Sequence, residues 1–303
     1  MSEFIEHSPF PDSPVMPTLM PGEATIQFSC HKGISCFNAC CKNIDISLTP
    51  YDILRLKKRL NMTSGDFLVK YTFPYEMDND GMAGVKFKPV ENGSACQFMT
   101  DEGCGVYEDR PTACRYYPVA LLSMRKQNEF TEREAYAMVQ EDHCKGHFEP
   151  RTITINDYRK EQGVEEYDEF AAGWRQLILK KKSAGPTIGK PSQRSLQLFF
   201  VACYDLDRFR EFVVAPTFND VYILDDVLKQ QLATDDVVLL QFAFRLLRQV
   251  LFGEVSIETK TDAVDIRLAH KKEREIKMDE IAAKVGPIEF TRTDPNDKYN
   301  IKD

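Results

Sequence analysis

The chain lacks most of the features that quickly reveal a function. Basic residues do not dominate: 39 lysines and arginines stand against 47 acidic side chains, a net charge of −8, and that balance argues against sequence-independent attraction to phosphate backbones. No nucleic-acid partner is expected. No stretch reaches the ~18 uninterrupted apolar residues that a spanning helix needs, so no membrane span is expected either. The opening residues, MSEFIEHSPFPDSPVMPTLMPGE, have no basic region followed by an apolar run. Without an export signal the cytoplasm, where thiols stay reduced, is the expected compartment. No Ser-His-Asp set or paired catalytic carboxylates can be argued, and no glycine-rich turn follows a strand to hold an adenosyl group. Common metal spacings are missing as well: there is no Cys-x2-Cys, no Cys-x3-Cys-x2-Cys and no Cys-x2-Cys-His.

What the chain does have is cysteine. Of nine, eight lie in the first half: Cys30, Cys36, Cys40 and Cys41, then Cys96, Cys104, Cys114 and Cys144. Soft thiolates bind zinc or iron-sulfur clusters far better than calcium or magnesium, and in a reducing compartment clustered cysteines are more often ligands than disulfides. The spacing reads as two loop-borne groups, Cys30 to Cys41 and Cys96 to Cys144, with Gly33, Asn38 and Ala39 in the first and Gly93, Gly103 and Gly105 in the second. Turn residues let sulfurs and backbone N–H groups converge. Cys40 and Cys41 are harder to place on one ion, because adjacent side chains diverge: the pair serves two centres, or one of the two does not ligate.

His31, His143 and His147 flank the cysteines, and His143-Cys144-x2-His147 could add nitrogen ligands. Eight thiolates already suffice, so the histidines are read as neighbours of the site rather than ligands. Arg110 and Arg115 bracket Cys114 in RPTACRYYP, where a guanidinium would offset thiolate charge; Arg115, next to the cysteine, is the better candidate. Cys203, in the apolar run Phe199 to Ala202, is read as core.

The remaining pattern predicts an α+β chain, predominantly helical: an irregular cysteine-cluster domain with short strands, then a helical C-terminal region. Six segments are expected, namely a proline-rich leader (1–23), the cysteine domain (24–150), a helical extension (151–182), a linker (183–195), a helical region (196–258) and a charged tail (259–303). Thr49-Pro50-x-Asp52 before Ile53, Leu56 and Leu60 predicts a capped helix, with a second starting near Ser64. Ala24–Phe28 and Val85–Lys88 alternate like strands, and Val119–Met124 with Ala135–Val139 predicts a hairpin across Arg125–Glu134. Tyr167, Phe170, Trp174 and Leu177 recur at helical spacing, as do Val237, Leu240, Phe244, Leu247 and Leu251 ahead of Gly253. His270 falls in a charged run and is expected to be exposed.

The segments SCHKGISCFNACCKNIDISLTPYDILRLKKRL and ACQFMTDEGCGVYEDRPTACRYYPV, with the later HCKGH, resemble the YkgJ-type cysteine-cluster family over about residues 28–148. That domain is described as zinc- or iron-chelating. The family pattern is tighter before the cysteine pair, often with glycines, where this chain has Phe37-Asn38-Ala39. Over the same domain the chain is similar to flagellin lysine N-methyltransferases, whose cysteines hold an iron-sulfur cluster. The resemblance therefore implies an iron-sulfur cluster, with a four-iron one favoured on four of the eight thiols, in a redox or structural role. Two alternatives stand beside it. One is structural zinc in a protein that offers its apolar C-terminal helices to a protein partner; the other is a protein-modifying enzyme such as a lysine N-methyltransferase.

Overall fold

The computed structural model describes residues 14–16, 18–124, 133–184 and 189–285. The fold is α+β and predominantly helical, with short strands in the N-terminal half and helices in the C-terminal half. It divides into two units, Met1–Ala215 with Leu224–Ile257, and Pro216–Ile223 with Glu258–Asp303. All nine cysteines belong to the first unit, as do the boundaries expected at residues 23, 150, 182 and 195.

In that unit β1 (Thr25–Gln27) is followed by a run of turns that carries the first cysteines, then by β2 (Ser47–Leu48) and α1 (Pro50–Arg59). The start of α1 is the predicted capping box: Thr49 Oγ1 accepts the Asp52 N–H, and Asp52 Oδ2 accepts the Thr49 N–H at 2.7 Å. Tyr51, Ile53, Leu54 and Leu56 of this helix are buried; each such side chain is worth about 1.5–3 kcal/mol. Next come α2 (Ser64–Tyr71), capped by Thr63, and the strands β3 (Thr72–Glu76) and β4 (Ala83–Phe87). β4 lies between β2 and β3 in a small antiparallel sheet.

A tight hairpin of β5 (Met99–Thr100) and β6 (Gly103–Cys104) precedes α3 (Thr112–Tyr116). The predicted hairpin forms from β7 (Val119–Met124) and β8 (Arg133–Met138); most of its connecting segment, 125–132, lies outside the described residues. The leader adds a feature that its composition did not indicate. Met16 N–H donates to Met138 O, Gln140 N–H to Pro14 O, and Met20 and Tyr136 exchange backbone hydrogen bonds, so these leader residues run along the free edge of β8. The prolines break helix, but extended backbone tolerates them at a sheet edge.

β9 (Thr152–Thr154) closes back antiparallel on β1, and α4 (Ile155–Gln162) and α5 (Val164–Ala184) follow. α5 continues to Ala184 and α6 (Gln193–Tyr204) begins at Gln193, so both ends of the expected linker are helical; 185–188 lie outside the described residues. α7 (Leu206–Val214) leads to the second unit. There α8 (Pro216–Asn219) comes first, followed by the residues that return as the Tyr222–Thr259 bridge.

Back in the first unit, α9 (Asp226–Thr234) and α10 (Asp236–Phe252) complete a helical core. α10 buries Leu239, Leu240, Phe242, Phe244, Leu246 and Leu247, packs on α5 and α6, and ends at Gly253 in the left-handed conformation, φ 69°. Cys203 lies here, 2% exposed, as core. The last element of the second unit among the described residues is α11 (Ala263–Val285), where His270 sits 3.8 Å from Asp220 and is partly shielded. The last dozen residues lie outside the described ones. Among the described residues no helix is long and apolar enough to cross a membrane.

Candidate metal centre

The first cysteines sit on consecutive turns, closed by Ile34 N–H to His31 O, Phe37 N–H to Ile34 O, Ala39 N–H to Cys36 O and Cys41 N–H to Asn38 O. Asn38 is left-handed at φ 64°, a conformation that asparagine accepts more readily than most residues, and Cys40 and Cys41 follow on a 3-10 turn. Its side-chain amide donates to Thr100 O at 2.9 Å, tying this loop to the β5–β6 hairpin that carries Cys104. In that hairpin Gly103 has φ 122°, and a Cβ there would meet the Phe37 ring at 3.3 Å. Cys96 N–H donates to Cys41 O at 2.7 Å, joining the second cysteine segment to the end of the first.

Cys114 is positioned from α1. Asp52 is fully buried, and the oxygen that its capping box leaves free, Oδ1, accepts both the N–H and the hydroxyl of Thr112, at 2.8 and 2.7 Å. One carboxylate thus holds the starts of two helices, and Cys114 lies two residues into the second. Burial raises the Asp52 pKa, with the hydrogen bonds from Thr112 and Thr49 opposing it.

Cys144 joins the first group rather than the second. Lys145 N–H donates to Cys36 Sγ at 3.2 Å, and Ser29 N–H donates to Gly146 O at 3.1 Å, so the segment around Cys144 lies along Cys30 and Cys36. The grouping inferred from spacing is corrected here. Strand β9 pairs with β1 and draws the end of the domain back to its beginning, a closure that spacing along the chain does not encode.

The thiols are mutually repulsive as anions. Burial pushes Cys30 up to about 11, and negative charge on Cys40, Cys36 and Cys144 adds to it. Cys96 and Cys104 are raised by burial against backbone hydrogen bonds from Phe98, Met99 and Val106. Cys114 is raised by burial and then by charge on Cys96, Cys104 and Cys40. The Cys40 and Cys41 sulfurs are 4.0 Å apart, and their hydrogen bond lowers Cys40 to about 7 while it holds the proton on Cys41. Cys30 and Cys40 are exposed, Cys96 and Cys144 buried, and the other four intermediate.

The polar neighbours have distinct roles. His31 is engaged at both ring nitrogens, by Gly33 N–H and by Glu149, and His143 Nε2 faces Glu141 at 3.6 Å. His147 differs: its Nε2 is buried without a hydrogen-bond partner among the described residues, and burial lowers its pKa. Tyr117 carries a buried hydroxyl near Cys144 and Glu141 that meets hydrogen-bond geometry with neither. Sequence reasoning missed Tyr117 and the second role of Asp52, for which no local pattern exists.

The arginines exchange the roles assigned to them. Arg115 points away from the sulfurs: it donates to Arg110 O, Gln162 O, Glu108 O and the Tyr167 hydroxyl, and stacks 4.1 Å over the Tyr167 ring. It is a buried staple between α3 and α5. Arg110 is the one whose charge reaches a thiol, lowering Cys104 against its burial.

Among the described residues no group of three or more His, Cys, Asp or Glu side chains is already gathered as a single-ion site. The donor chemistry nevertheless fits a thiolate-bound metal. Free thiols share one region, and Cys30 and Cys114 among them are raised both by burial and by their neighbours' charge; a cation is the counter-charge that would relieve both.

Residues 29–145 match the model of a family named CxxCxxCC and described as "Putative zinc- or iron-chelating domain". The match takes in all eight clustered cysteines. The chain keeps the terminal pair of that name as Cys40-Cys41 but opens the two earlier intervals to five and three residues. No curated protein and no solved structure matches the chain.

Proposed function

We propose that the cysteine domain is an iron-sulfur protein of the YkgJ type, its thiols holding a four-iron cluster in a redox or structural role. One observation supports the reading: segments distant in sequence meet at the cysteines, where Cys96 N–H donates to Cys41 O and Lys145 N–H donates to Cys36 Sγ. Such N–H donors offset thiolate charge and tune a cluster's potential. The match to a chelating domain supports metal binding, and the choice of iron over zinc rests on the resemblance to proteins whose cysteines hold a cluster.

The chain's own residues would hold and shield the group. Cys40, exposed and lowered to about 7, gives up its proton early; the thiols raised by burial lose theirs as metal charge accumulates. The Asp52 carboxylate and the Arg115 fork keep α3 in place, so that Cys114 does not have to be ordered at the moment of binding. A bound cluster would supply one-electron chemistry or a covalent cross-link between the loops.

The test is anaerobic preparation of the whole chain. A brown protein whose visible absorption bleaches on reduction with dithionite is expected. A colourless protein with stoichiometric zinc and no acid-labile sulfide overturns iron-sulfur in favour of structural zinc.

A further inference from the structure

We propose that Cys40 and Cys41 form a redox-sensitive dithiol, which a hydroperoxide closes into a disulfide between adjacent residues and a thiol reductant reopens. The proposal goes beyond metal binding, because it gives the pair a covalent reaction of its own.

Successive residues of a 3-10 turn leave the backbone about 120° apart, yet here both side chains turn to one side. Their sulfurs lie 4.0 Å apart, the one thiol–thiol hydrogen bond among the described residues. The turn that makes them converge is held from several directions. Asn38 enters it in the left-handed conformation, Cys41 N–H donates to Asn38 O at 3.0 Å, and Lys42 N–H donates to Ala39 O at 3.1 Å. The Asn38 amide reaches Thr100 O, and Cys96 N–H reaches Cys41 O, so two other segments brace the same turn. Cys36, the next thiol along the loop, is engaged elsewhere, its Sγ accepting Lys145 N–H. A disulfide needs the sulfurs to close from 4.0 Å to ~2.05 Å, an approach that side-chain rotation begins and bending of the intervening peptide completes.

Exposure orders the steps. Cys40 is exposed and Cys41 intermediate, so an oxidant meets Cys40 first. The Cys40 sulfur attacks the terminal oxygen of the hydroperoxide; the O–O bond breaks, the thiol proton leaves with the alcohol, and Cys40 is left as a sulfenic acid. The Cys41 sulfur then attacks the Cys40 sulfur. The S–S bond forms as the S–O bond breaks, and the displaced hydroxyl leaves as water with the Cys41 proton. Two thiols are oxidised by two electrons, and one hydroperoxide is reduced to an alcohol and water. Adjacent α-carbons are ~3.8 Å apart across a trans peptide, short of the ~4.4–6.8 Å usual for a disulfide, so the bond is strained and readily reduced. Such a bond suits a reversible switch rather than a structural staple. Once closed, the pair offers no thiolate; under the metal-binding reading, oxidation withdraws two donors from the site.

Peptide mapping tests this on the unaltered chain. The whole protein, reduced and metal-free, is treated with hydrogen peroxide in small excess, blocked with iodoacetamide and digested with trypsin. Cleavage after Lys32 and Lys42 releases residues 33–42, which carry Cys36, Cys40 and Cys41. The expected peptide is alkylated at Cys36 alone and lacks two hydrogens at the adjacent pair; thiol reduction before blocking should restore label at all three cysteines. Label on both Cys40 and Cys41, or either of them joined to Cys36 or to a cysteine outside the peptide, overturns the proposal. So does sulfinic acid at Cys40 beside a labelled Cys41. In Cys41→Ser the same peroxide should carry Cys40 on to sulfinic acid, from which Cys41 protects the parent; equal over-oxidation in both overturns the role given to Cys41. A chain that closes the pair but binds neither iron nor zinc overturns the metal-binding reading and leaves the dithiol standing.

Discussion

Replacing Asp52 by alanine should unfold the N-terminal half more readily and weaken metal binding at Cys114. The carboxylate is fully buried and accepts three hydrogen bonds, from Thr49 N–H, Thr112 N–H and the Thr112 hydroxyl. Loss of the cap on α1 costs about 1 kcal/mol. The Thr112 N–H, left dry without a partner, costs about 1–3 kcal/mol more, while its hydroxyl can rotate to another acceptor. Desolvation of the charged carboxylate offsets part of this, since burial raises its pKa, and a net loss of about 1–3 kcal/mol remains.

Urea unfolding of the metal-free chain reads the change as a lower midpoint at unchanged slope. Asp52→Asn, which leaves one acceptor oxygen and turns an amide towards a donor, should fall between Asp52→Ala and the parent. The pH dependence has a definite sign. Because the folded pKa lies above the ordinary value of 3.8, protonation favours the folded state; this contribution is complete below 3.8 and is lost as pH rises through the folded pKa. Asp52→Asn should remove that slope. An Asp52→Ala midpoint within about 0.5 kcal/mol of the parent refutes the double-cap account.

Arg115→Ala should cost about 3–5 kcal/mol in the same assay, because three carbonyls and the Tyr167 hydroxyl lose their donor, and Arg115→Lys should recover little of it for want of a planar fork. At Gly146 a Cβ would meet Phe28 at 2.5 Å and Ser29 O at 2.8 Å. Gly146→Ala should therefore cost about 1–3 kcal/mol and weaken metal retention by displacing the segment that meets Cys36, as read by metal analysis. His147 is held below its ordinary 6.5 by burial, so its contribution to stability is present above that pH and is lost as pH falls towards the folded pKa. His147→Phe should flatten melting temperature between about pH 5 and 8 relative to the parent; an unchanged slope contradicts a buried, neutral ring.

The α1 start was legible because Thr49, Pro50 and Asp52 act within one turn, and α10 because its apolar stripe and Gly253 obey helical period over 17 residues. The β7–β8 hairpin was legible for the same local reason. Long-range closure was not. Cys144 reaches Cys30 through β1–β9 pairing, and the leader reaches β8 through edge hydrogen bonds that no proline count anticipates. Arg115 was misassigned because adjacency to Cys114 says nothing about direction: on a short helix its side chain leaves the opposite side, towards α5. Of the candidate site, the eight cysteines were visible in the sequence, and the approach of the Cys144 segment to Cys36 required the fold.

The account stands most directly on one measurement: iron, acid-labile sulfide and zinc per chain in protein prepared anaerobically. Iron and sulfide in equal amounts, with little zinc, is the predicted result. Stoichiometric zinc without sulfide, or no metal at all, contradicts it.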